Sequence, residues 1–336
     1  MNRRVLIKRG VVLVVTAVSF YLVLPGLAEL FSSWPDIARL EPAWLAAMVA
    51  LEASSFATVW ILQGICLRRP AFRPVILSQL AGNSLAKVAP GGGAAGGALQ
   101  YRMLVDAGLE RSAVGAGLAS ANLLTFATLL ALPALTVPAV ALGIPVERGL
   151  VQAALLGAAL FLVVAIIGGV LLASDRALRF VGRLAQSARN RVLSRRAPLR
   201  GLPERLVGER NVALRVIGRG AREALISAVL RWLLEYGALL VALAAVGAEP
   251  RPSLVLLGFT AAQLLALIPV TPGGLGFVEA GLTGLLVLAG VSAGDAAVAT
   301  LAYRLVSYWL PLPAGAVAAV VHRRVLQAQR AGGAGS

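Results

Sequence analysis

The residues of this sequence whose side chains could take part in chemistry are the charged ones that lie inside apolar stretches. An ionised side chain costs about 2.5–3.5 kcal/mol at the centre of a bilayer on insertion scales, so it usually faces a cavity or a partner. Lysine and arginine can hold an anionic group there, and a carboxylate can orient them or carry a proton. The candidates are Glu52, Lys87, Arg102, Arg231, Glu235, Glu279 and Arg304.

Each of these charges also has a plainer interpretation, and the sequence leaves both open. Arg231 and Glu235 are four residues apart and share one helical face, where they can pair. Arg304 and Glu279 can form an ion pair that links two helices instead of contacting a substrate. Arg231 can also extend its head to the membrane surface. The polar Asn83 fits an inter-helix hydrogen bond as well as a ligand contact.

Hydrolytic, transfer and metal chemistry find no support in the sequence. The chain has one cysteine, Cys66, and one histidine, His322, which we place in a polar C-terminal tail. No internal disulfide and no zinc site can be built from these two residues. The stretch GGGAAGGAL lacks the Lys-Ser/Thr end of a nucleotide-binding loop. We therefore expect no catalytic residue, no metal, no cofactor and no ATPase within the chain.

Two Pro-Gly-Gly motifs stand in apolar surroundings, at Pro90–Gly92 and at Pro272–Gly274. A constant difference in residue number aligns the two motifs. The same difference, without a gap, also aligns Ala107-Gly108 with Ala289-Gly290. Proline breaks a helix interior and glycine lets the backbone turn. A helix-breaking motif that occurs twice points to an internally duplicated membrane transporter.

The Pro-Gly-Gly motifs allow two interpretations. A helix that begins after the motif has free N–H groups and a positive dipole end, which attract anions. Two such helix starts could converge from opposite leaflets on one anionic head group. Alternatively, the motifs only make tight turns and allow close helix packing.

Composition assigns the chain to the integral membrane proteins. Hydrophobic residues make up 59% of it and charged residues 14%, against about 25% charged in soluble domains. The net charge of +16 lies mainly in the segments between and beyond the apolar spans, where the positive-inside rule expects it. A nucleic-acid partner is therefore not predicted.

Apolar length predicts an all-α polytopic fold with about six transmembrane helices, since about 20 apolar residues cross a bilayer. These six segments are Val11–Leu30, Pro42–Cys66, Ala113–Leu142, Leu150–Ala173, Glu223–Gly247 and Ala296–Val321. Two further regions, Phe72–Gly108 and Ser253–Gly290, are interrupted by Pro-Gly-Gly. Each is either a re-entrant helical hairpin or a pair of full crossings.

Charge predicts the orientation of these elements. The segment 174–222 contains thirteen arginines and three acidic residues, so it should face the cytoplasm, together with both termini. If each interrupted region crosses the membrane an even number of times, two units at about 42–142 and 223–321 have opposite orientations. They are then inverted repeats within one domain, 1–336. The basic segment is either a solvated connector or an amphipathic segment on the anionic leaflet, using Leu178, Val181 and Leu184.

The sequence around the second motif resembles a known family. The stretch IPVTPGGLGFVEAGLTGLLVLAGV, followed by YRLVSYWLPLPAG, is similar to the second half of the lysylphosphatidylglycerol synthase transmembrane region, a flippase-like membrane family. The first half, from KVAPGGG to Tyr101-Arg102 and Gly108, matches less closely, and the resemblance covers about residues 5–325. Two-part members attach a soluble aminoacyltransferase domain after this region; the chain ends at Ser336, so we do not expect lysyl transfer.

The resemblance implies a polytopic domain that moves lipids, or lipid-linked head groups, between leaflets. By its motifs, the resemblance also implies that the substrate-binding site contains Pro90, Gly91, Gly92, Arg102, Pro272, Gly273, Gly274, Gly276, Glu279, Tyr303 and Arg304. Position within apolar runs adds secondary candidates, namely Lys87, Asn83, Glu52, Arg231 and Glu235.

Three hypotheses for the function follow. The leading one is a translocase of the bacterial inner membrane for a phospholipid or isoprenoid-linked lipid, with membrane lipids as partners and a lipid-biosynthetic enzyme as a further candidate partner. The second is a secondary transporter of a small anionic solute. The third is a non-transporting membrane scaffold for a lipid-modifying enzyme. The lipid, the energy source and the oligomeric state are left open.

Overall fold

The computed structural model describes residues 34–68, 71–89, 92–132, 162–163, 166–171, 173–192, 198, 200–266 and 271–333. Regular structure in these ranges is helical throughout, which confirms the all-α prediction. The α-helices are α1 (Trp34–Ile37), α2 (Pro42–Leu67), α3 (Phe72–Val88), α4 (Gly92–Asp106), α5 (Arg111–Ala131), α6 (Asp175–Val192), α7 (Leu202–Ala245), α8 (Pro252–Leu265), α9 (Phe277–Leu288), α10 (Ala293–Arg304) and α11 (Pro311–Gly333).

Within the described ranges, four helical stretches are long and apolar enough to cross a membrane. They are Pro42–Leu67, Arg111–Ala131, Gly220–Ala245 and Ala293–Ala328. They correspond to four of the six predicted spans. The predicted span Val11–Leu30 and most of Leu150–Ala173 lie outside the described residues, so the complete layout stays a prediction.

The first interrupted region forms two short helices, α3 and α4, that pack against each other. They have 17 and 15 residues, or about 25 and 22 Å, less than the ~30 Å core of a bilayer. Their backbones touch at two glycines: a Cβ on Gly96 would lie 2.3 Å from the carbonyl oxygen of Gly82. Pro90 and Gly91, which connect the two helices, lie outside the described residues.

The second interrupted region repeats this arrangement with shorter helices. Helices α8 and α9 have 14 and 12 residues and pack against each other. Between them, Pro272–Gly274 forms one 3₁₀ turn. Neither helix is long enough to cross a bilayer alone. Whether the two helical pairs are re-entrant stays a prediction.

Helices from the two predicted repeat units pack directly on each other. Helix α2 lies along α7, and α11 lies along α3. The second contact depends on Gly315, because a Cβ there would lie 1.9 Å from the hydroxyl of Ser84 and 2.3 Å from the carbonyl oxygen of Leu80. The largest apolar core joins α7, α8, α9 and α10 around Phe259. These contacts therefore join the two predicted repeat units directly.

Most of the described part of the basic segment 174–222 is helical. It contains α6 and the first half of α7, which bends at Gly220 before its apolar half begins. Three apolar side chains of α6 remain exposed, Phe180 by 60%, Val181 by 41% and Leu184 by 61%. This is the geometry of an amphipathic helix.

The placement of His322 in a polar tail is wrong. Helix α11 continues without a break from Pro311 to Gly333, and His322 within it is only 7% exposed. The residues that follow the last apolar span therefore continue the helix that packs against α3.

Candidate functional site

Five of the charged residues identified from the sequence line one cavity of about 340 Å³. Glu52 lies on α2, Lys87 near the end of α3, Arg231 and Glu235 on α7, and Arg304 at the end of α10. The wall also contains polar residues and glycines, namely Ser55, Gln79, Asn83, Gly93, Gln263, Gly273, Tyr303, Ser307 and Tyr308, together with apolar residues such as Phe56, Phe259 and Leu282. Both predicted repeat units therefore contribute charges to the same space.

Arg231 and Glu235 form an ion pair on the α7 side of the cavity. The Arg231 Nε and Nη2 atoms lie 3.2 and 3.1 Å from Glu235 Oε1. The Arg231 guanidinium also lies over the Trp232 ring, 4.2 Å from its centre, in cation–π geometry. The Arg231 side chain is still 26% exposed and lines the cavity.

The other carboxylate oxygen of Glu235 is also engaged. Gln263 Nε2 donates to Glu235 Oε2 at 3.2 Å and to the Tyr303 hydroxyl at 3.1 Å. The Ser55 hydroxyl lies 3.4 Å from Glu235 Oε1. Three helices, α2, α7 and α8, therefore meet at this carboxylate, α10 joins them through Tyr303, and the carboxylate charge is well compensated.

Arg304 and Glu279 form the inter-helix ion pair that the sequence allowed as one interpretation. Arg304 Nε lies 2.6 Å from Glu279 Oε1, and the two side chains are only 9% and 6% exposed. Arg304 Nη2 donates to the Gly273 carbonyl oxygen at 3.2 Å, and its guanidinium lies 4.4 Å from the centre of the Tyr308 ring. Glu279 therefore orients the arginine, while Arg304 itself still lines the cavity.

Lys87 connects the first helical pair to the last span through backbone carbonyls. Its Nζ atom donates to the Ser307 carbonyl oxygen at 2.5 Å and lies 3.4 Å from that of Tyr308. Ser307 lies in a single π turn, Leu305–Trp309. In an α-helix, residue 311 would donate its N–H to this carbonyl, but Pro311 has none. The ammonium group of Lys87 therefore replaces the missing donor.

Gly273 lets the second Pro-Gly-Gly motif approach the end of α3. Its φ of 60° is in the left-handed region that glycine adopts without steric cost. A Cβ at this position would lie 2.4 Å from the Tyr308 ring and 2.9 Å from the Lys87 carbonyl oxygen. That same carbonyl accepts the Tyr308 hydroxyl at 2.8 Å. Only glycine fits here, because both the backbone angle and the space exclude a side chain.

Two buried polar atoms of the cavity residues have no hydrogen-bond partner among the described parts of the chain. They are Glu52 Oε2 and Asn83 Nδ2. Glu52 is only 5% exposed. Buried polar groups are usually hydrogen-bonded, so such atoms at a cavity wall mark places where a ligand, water or proton can bind.

Arg102 is not brought to this site. Its side chain is 80% exposed and lies 3.7 Å from the Asp106 carboxylate, away from the cavity lining. The predicted convergence of two helix starts is not seen either. The start of α4 reaches the cavity at Gly93, but α9 begins only at Phe277 and carries the Glu279 carboxylate in its first turn.

Of the remaining predicted residues, some line the cavity and others do not. Tyr303 and Gly273 line it, as do the secondary candidates Lys87, Asn83, Glu52, Arg231 and Glu235. Pro272 lies in the 3₁₀ turn beside it; Gly92, Gly274, Gly276 and Glu279 are not among the lining residues. Pro90 and Gly91 lie outside the described residues.

Sequence reasoning missed several polar residues of the site. Ser55 lies one helical turn after Glu52, and that spacing is the signal that could have identified it. A second space of about 210 Å³ adjoins the cavity and shares Gln79, Asn83, Gly93 and Arg231 with it. Gln63 and Gln100, hydrogen-bonded at 2.8 Å, line this second space. Across the described ranges, no group of three or more His, Cys, Asp and Glu residues is placed to hold a metal ion.

Comparison with known proteins agrees with this membrane architecture. The profile of the lysylphosphatidylglycerol synthase TM region matches residues 10–315. Two relatives from Methanothermobacter thermautotrophicus, each described as a UPF0104 membrane protein, are 34% identical over 91 and 92 residues. These stretches cover 27% of this chain and only 26% and 28% of the relatives. On the profile match, which includes both helical pairs and the cavity, the chain belongs to the family of the lysylphosphatidylglycerol synthase transmembrane region.

Proposed function

We propose that this membrane protein is a lipid translocase whose cavity holds an anionic head group. The observation that carries the proposal is the placement of Lys87, Arg231 and Arg304 around one cavity inside otherwise apolar helices. Charges at this depth are costly and are kept where they bind a substrate or an ion. In this proposal the protein moves the lipid without chemical change.

The size of the cavity favours a head group over a whole lipid. Its volume of about 340 Å³ is at the lower end of the ~300–1,000 Å³ range of ligand pockets. Acyl chains then stay in the bilayer while the head group crosses. Leu230 and Leu233 on α7, the helix that carries Arg231, are 41% and 42% exposed, so α7 also has an apolar face that a lipid tail can contact.

Among the cations, Arg231 is the one we assign to the head group. Arg304 is held by Glu279 and the Gly273 carbonyl, and Lys87 by two carbonyls. The Arg231 side chain is more exposed than that of Arg304, 26% against 9%, and its guanidinium can form a charge-assisted bond to a phosphate. Alternating access would then move the two helical pairs relative to each other around this point. The proposed location is the bacterial inner membrane, with the Arg-rich α6 region on the cytoplasmic side.

Reconstitution tests this proposal. Liposomes containing the protein receive NBD-labelled phosphatidylglycerol or phosphatidylcholine in one leaflet, and dithionite reports which leaflet holds the dye. We expect translocation of the anionic lipid, loss of at least tenfold in rate in Arg231→Gln, and no change in Arg102→Gln, an arginine outside the cavity. Translocation of no anionic or isoprenoid lipid by folded protein would refute the proposal. Uptake of a small anion, or only binding of an enzyme, would favour the alternative functions.

A further inference from the structure

The carboxylates of Glu52 and Glu235 line the same cavity but differ in their partners. Glu235 accepts hydrogen bonds at both oxygens, from Arg231, Ser55 and Gln263. Glu52 is equally buried, at 5% exposed against 8% for Glu235. In the part of the chain that the structure describes, its Oε2 atom has no partner. Of these two carboxylates, Glu52 is therefore the one whose charge is less compensated.

The charges that face Glu52 come from three helices. Arg231 and Glu235 lie on α7, Lys87 lies on α3, and Arg304 lies at the end of α10, where Glu279 of α9 neutralises it. Tyr303, a neutral phenol, is the other titratable group on α10 that lines the cavity.

The net charge of these cavity residues depends on whether Glu52 carries a proton. With Arg304 and Glu279 cancelling each other, Lys87 and Arg231 are opposed by Glu52 and Glu235, and the sum is zero. If Glu52 takes up a proton, the cavity gains one positive charge. An uncompensated charge is unfavourable at this depth, so an anion becomes the stabilising occupant.

Resting on the proposed function, we infer that Glu52 binds one proton together with each anionic head group and thereby couples lipid movement to the proton gradient. The Glu52 carboxylate takes a proton from the water on the side where the cavity opens, and the head-group phosphate then occupies the positively charged cavity. After the cavity opens to the other side, the proton and the head group leave, and the neutral balance returns. No bond other than the O–H bond of Glu52 is made or broken.

Glu279 and Glu235 fit this role less well. Glu279 holds Arg304 at 2.6 Å, so its protonation would release a buried guanidinium. Glu235 would lose its pair with Arg231. Glu52 makes no ion pair in the described structure, so it can gain a proton without breaking one.

The test measures proton uptake and lipid binding on the purified full chain in weakly buffered micelles. Short-chain phosphatidylglycerol is titrated in, with inorganic phosphate and a short-chain phosphatidylcholine in parallel. We expect uptake of about one proton per phosphatidylglycerol bound, and binding that tightens by up to about tenfold per unit fall in pH while Glu52 is ionised in the free protein. Glu52→Gln removes both effects, Glu52→Asp retains them, and Asp106→Asn, which lies outside the cavity, leaves them unchanged.

The outcomes separate this inference from the proposed function. Lipid binding and translocation without proton uptake, or an unchanged pH slope in Glu52→Gln, would overturn the role of Glu52 and leave the translocase standing. Absence of lipid binding in the wild-type protein at every pH would overturn both. Proton uptake with inorganic phosphate instead of lipid would support Glu52 as the proton site and overturn the lipid as substrate.

Discussion

Replacing Glu279 by glutamine removes the negative charge that compensates Arg304. The Arg304 side chain is 9% exposed, and its other polar contact is the Gly273 carbonyl oxygen at 3.2 Å. Glutamine has the same shape as glutamate and still offers an oxygen to Arg304 Nε, but it carries no charge. The variant therefore leaves a guanidinium buried without a counter-ion.

The size of the effect follows from this burial. Breaking a buried ion pair by removing one partner typically costs about 3–5 kcal/mol. Because the Gly273 carbonyl and the Tyr308 ring still contact Arg304, we expect the lower end, about 3 kcal/mol. This corresponds to an increase of more than about a hundredfold in the unfolded fraction.

The assay is equilibrium unfolding in mixed micelles with increasing dodecyl sulfate, followed by tryptophan fluorescence. Asp106→Asn is the matched control, because its pair with Arg102 is 3.7 Å long and exposed, and such pairs contribute about 0–1 kcal/mol. Adding Arg304→Met to Glu279→Gln should recover part of the loss, since no charge is then left buried. If Glu279→Gln costs no more than Asp106→Asn, the assignment of a buried ion pair is wrong.

Three further perturbations have expected outcomes. Gly315→Ala should destabilise the protein by about 1–3 kcal/mol, because its Cβ overlaps the backbone of α3. Lys87→Met should cost about 1–3 kcal/mol by leaving the Ser307 carbonyl unpaired, and less in a Pro311→Ala background, which restores an N–H donor. A bimane fluorophore attached to the Leu184→Cys variant, in a Cys66→Ala background, should have its fluorescence quenched by brominated anionic lipids. The reason is that Leu184 is exposed on the apolar face of α6.

Each of these predictions has its own control and refuting result. Gly294→Ala is the control for Gly315, because no atom lies within 4 Å of its Cβ position; equal costs would contradict the packing argument. Equal costs of Lys87→Met with and without Pro311→Ala would show that Lys87 does not replace a missing donor. Bimane at Arg179→Cys, on the same helix, should be quenched less; equal emission from both positions would place α6 away from the bilayer.

The cost of burying a charge applies in any membrane fold, so it could predict residues of the candidate site from the sequence alone. Glu52, Lys87, Arg231 and Glu235 were recognised because they stand in apolar runs, and all four line the cavity. Arg102 satisfied the same criterion and lies elsewhere. Successive residues of a helix point about 100° apart, so the rotation of α4, set by the Gly82–Gly96 contact, decides where Arg102 faces.

Other features depended on backbone geometry that residue types do not specify. The bond between Lys87 and the Ser307 carbonyl requires the π turn, and that turn forms in the packed structure. The start of α9 at Phe277 follows three glycines with positive φ, Gly273, Gly274 and Gly276, whereas α4 begins at Gly92 within the first motif itself. The helix in the basic segment had a signal, since Leu178, Val181 and Leu184 repeat every three residues.

Photo-crosslinking tests the central claim, that the cavity between the two helical pairs holds a lipid head group, most directly. Phosphatidylglycerol with a diazirine on its head group is added to the protein in nanodiscs, irradiated, and the labelled peptides are identified by mass spectrometry. We expect labelling of α2 and α7 around Ser55 and Arg231, competed by unlabelled anionic lipid and lost in Arg231→Gln. Labelling confined to lipid-facing positions such as Leu225 and Val317, unchanged by Arg231→Gln, would contradict the account.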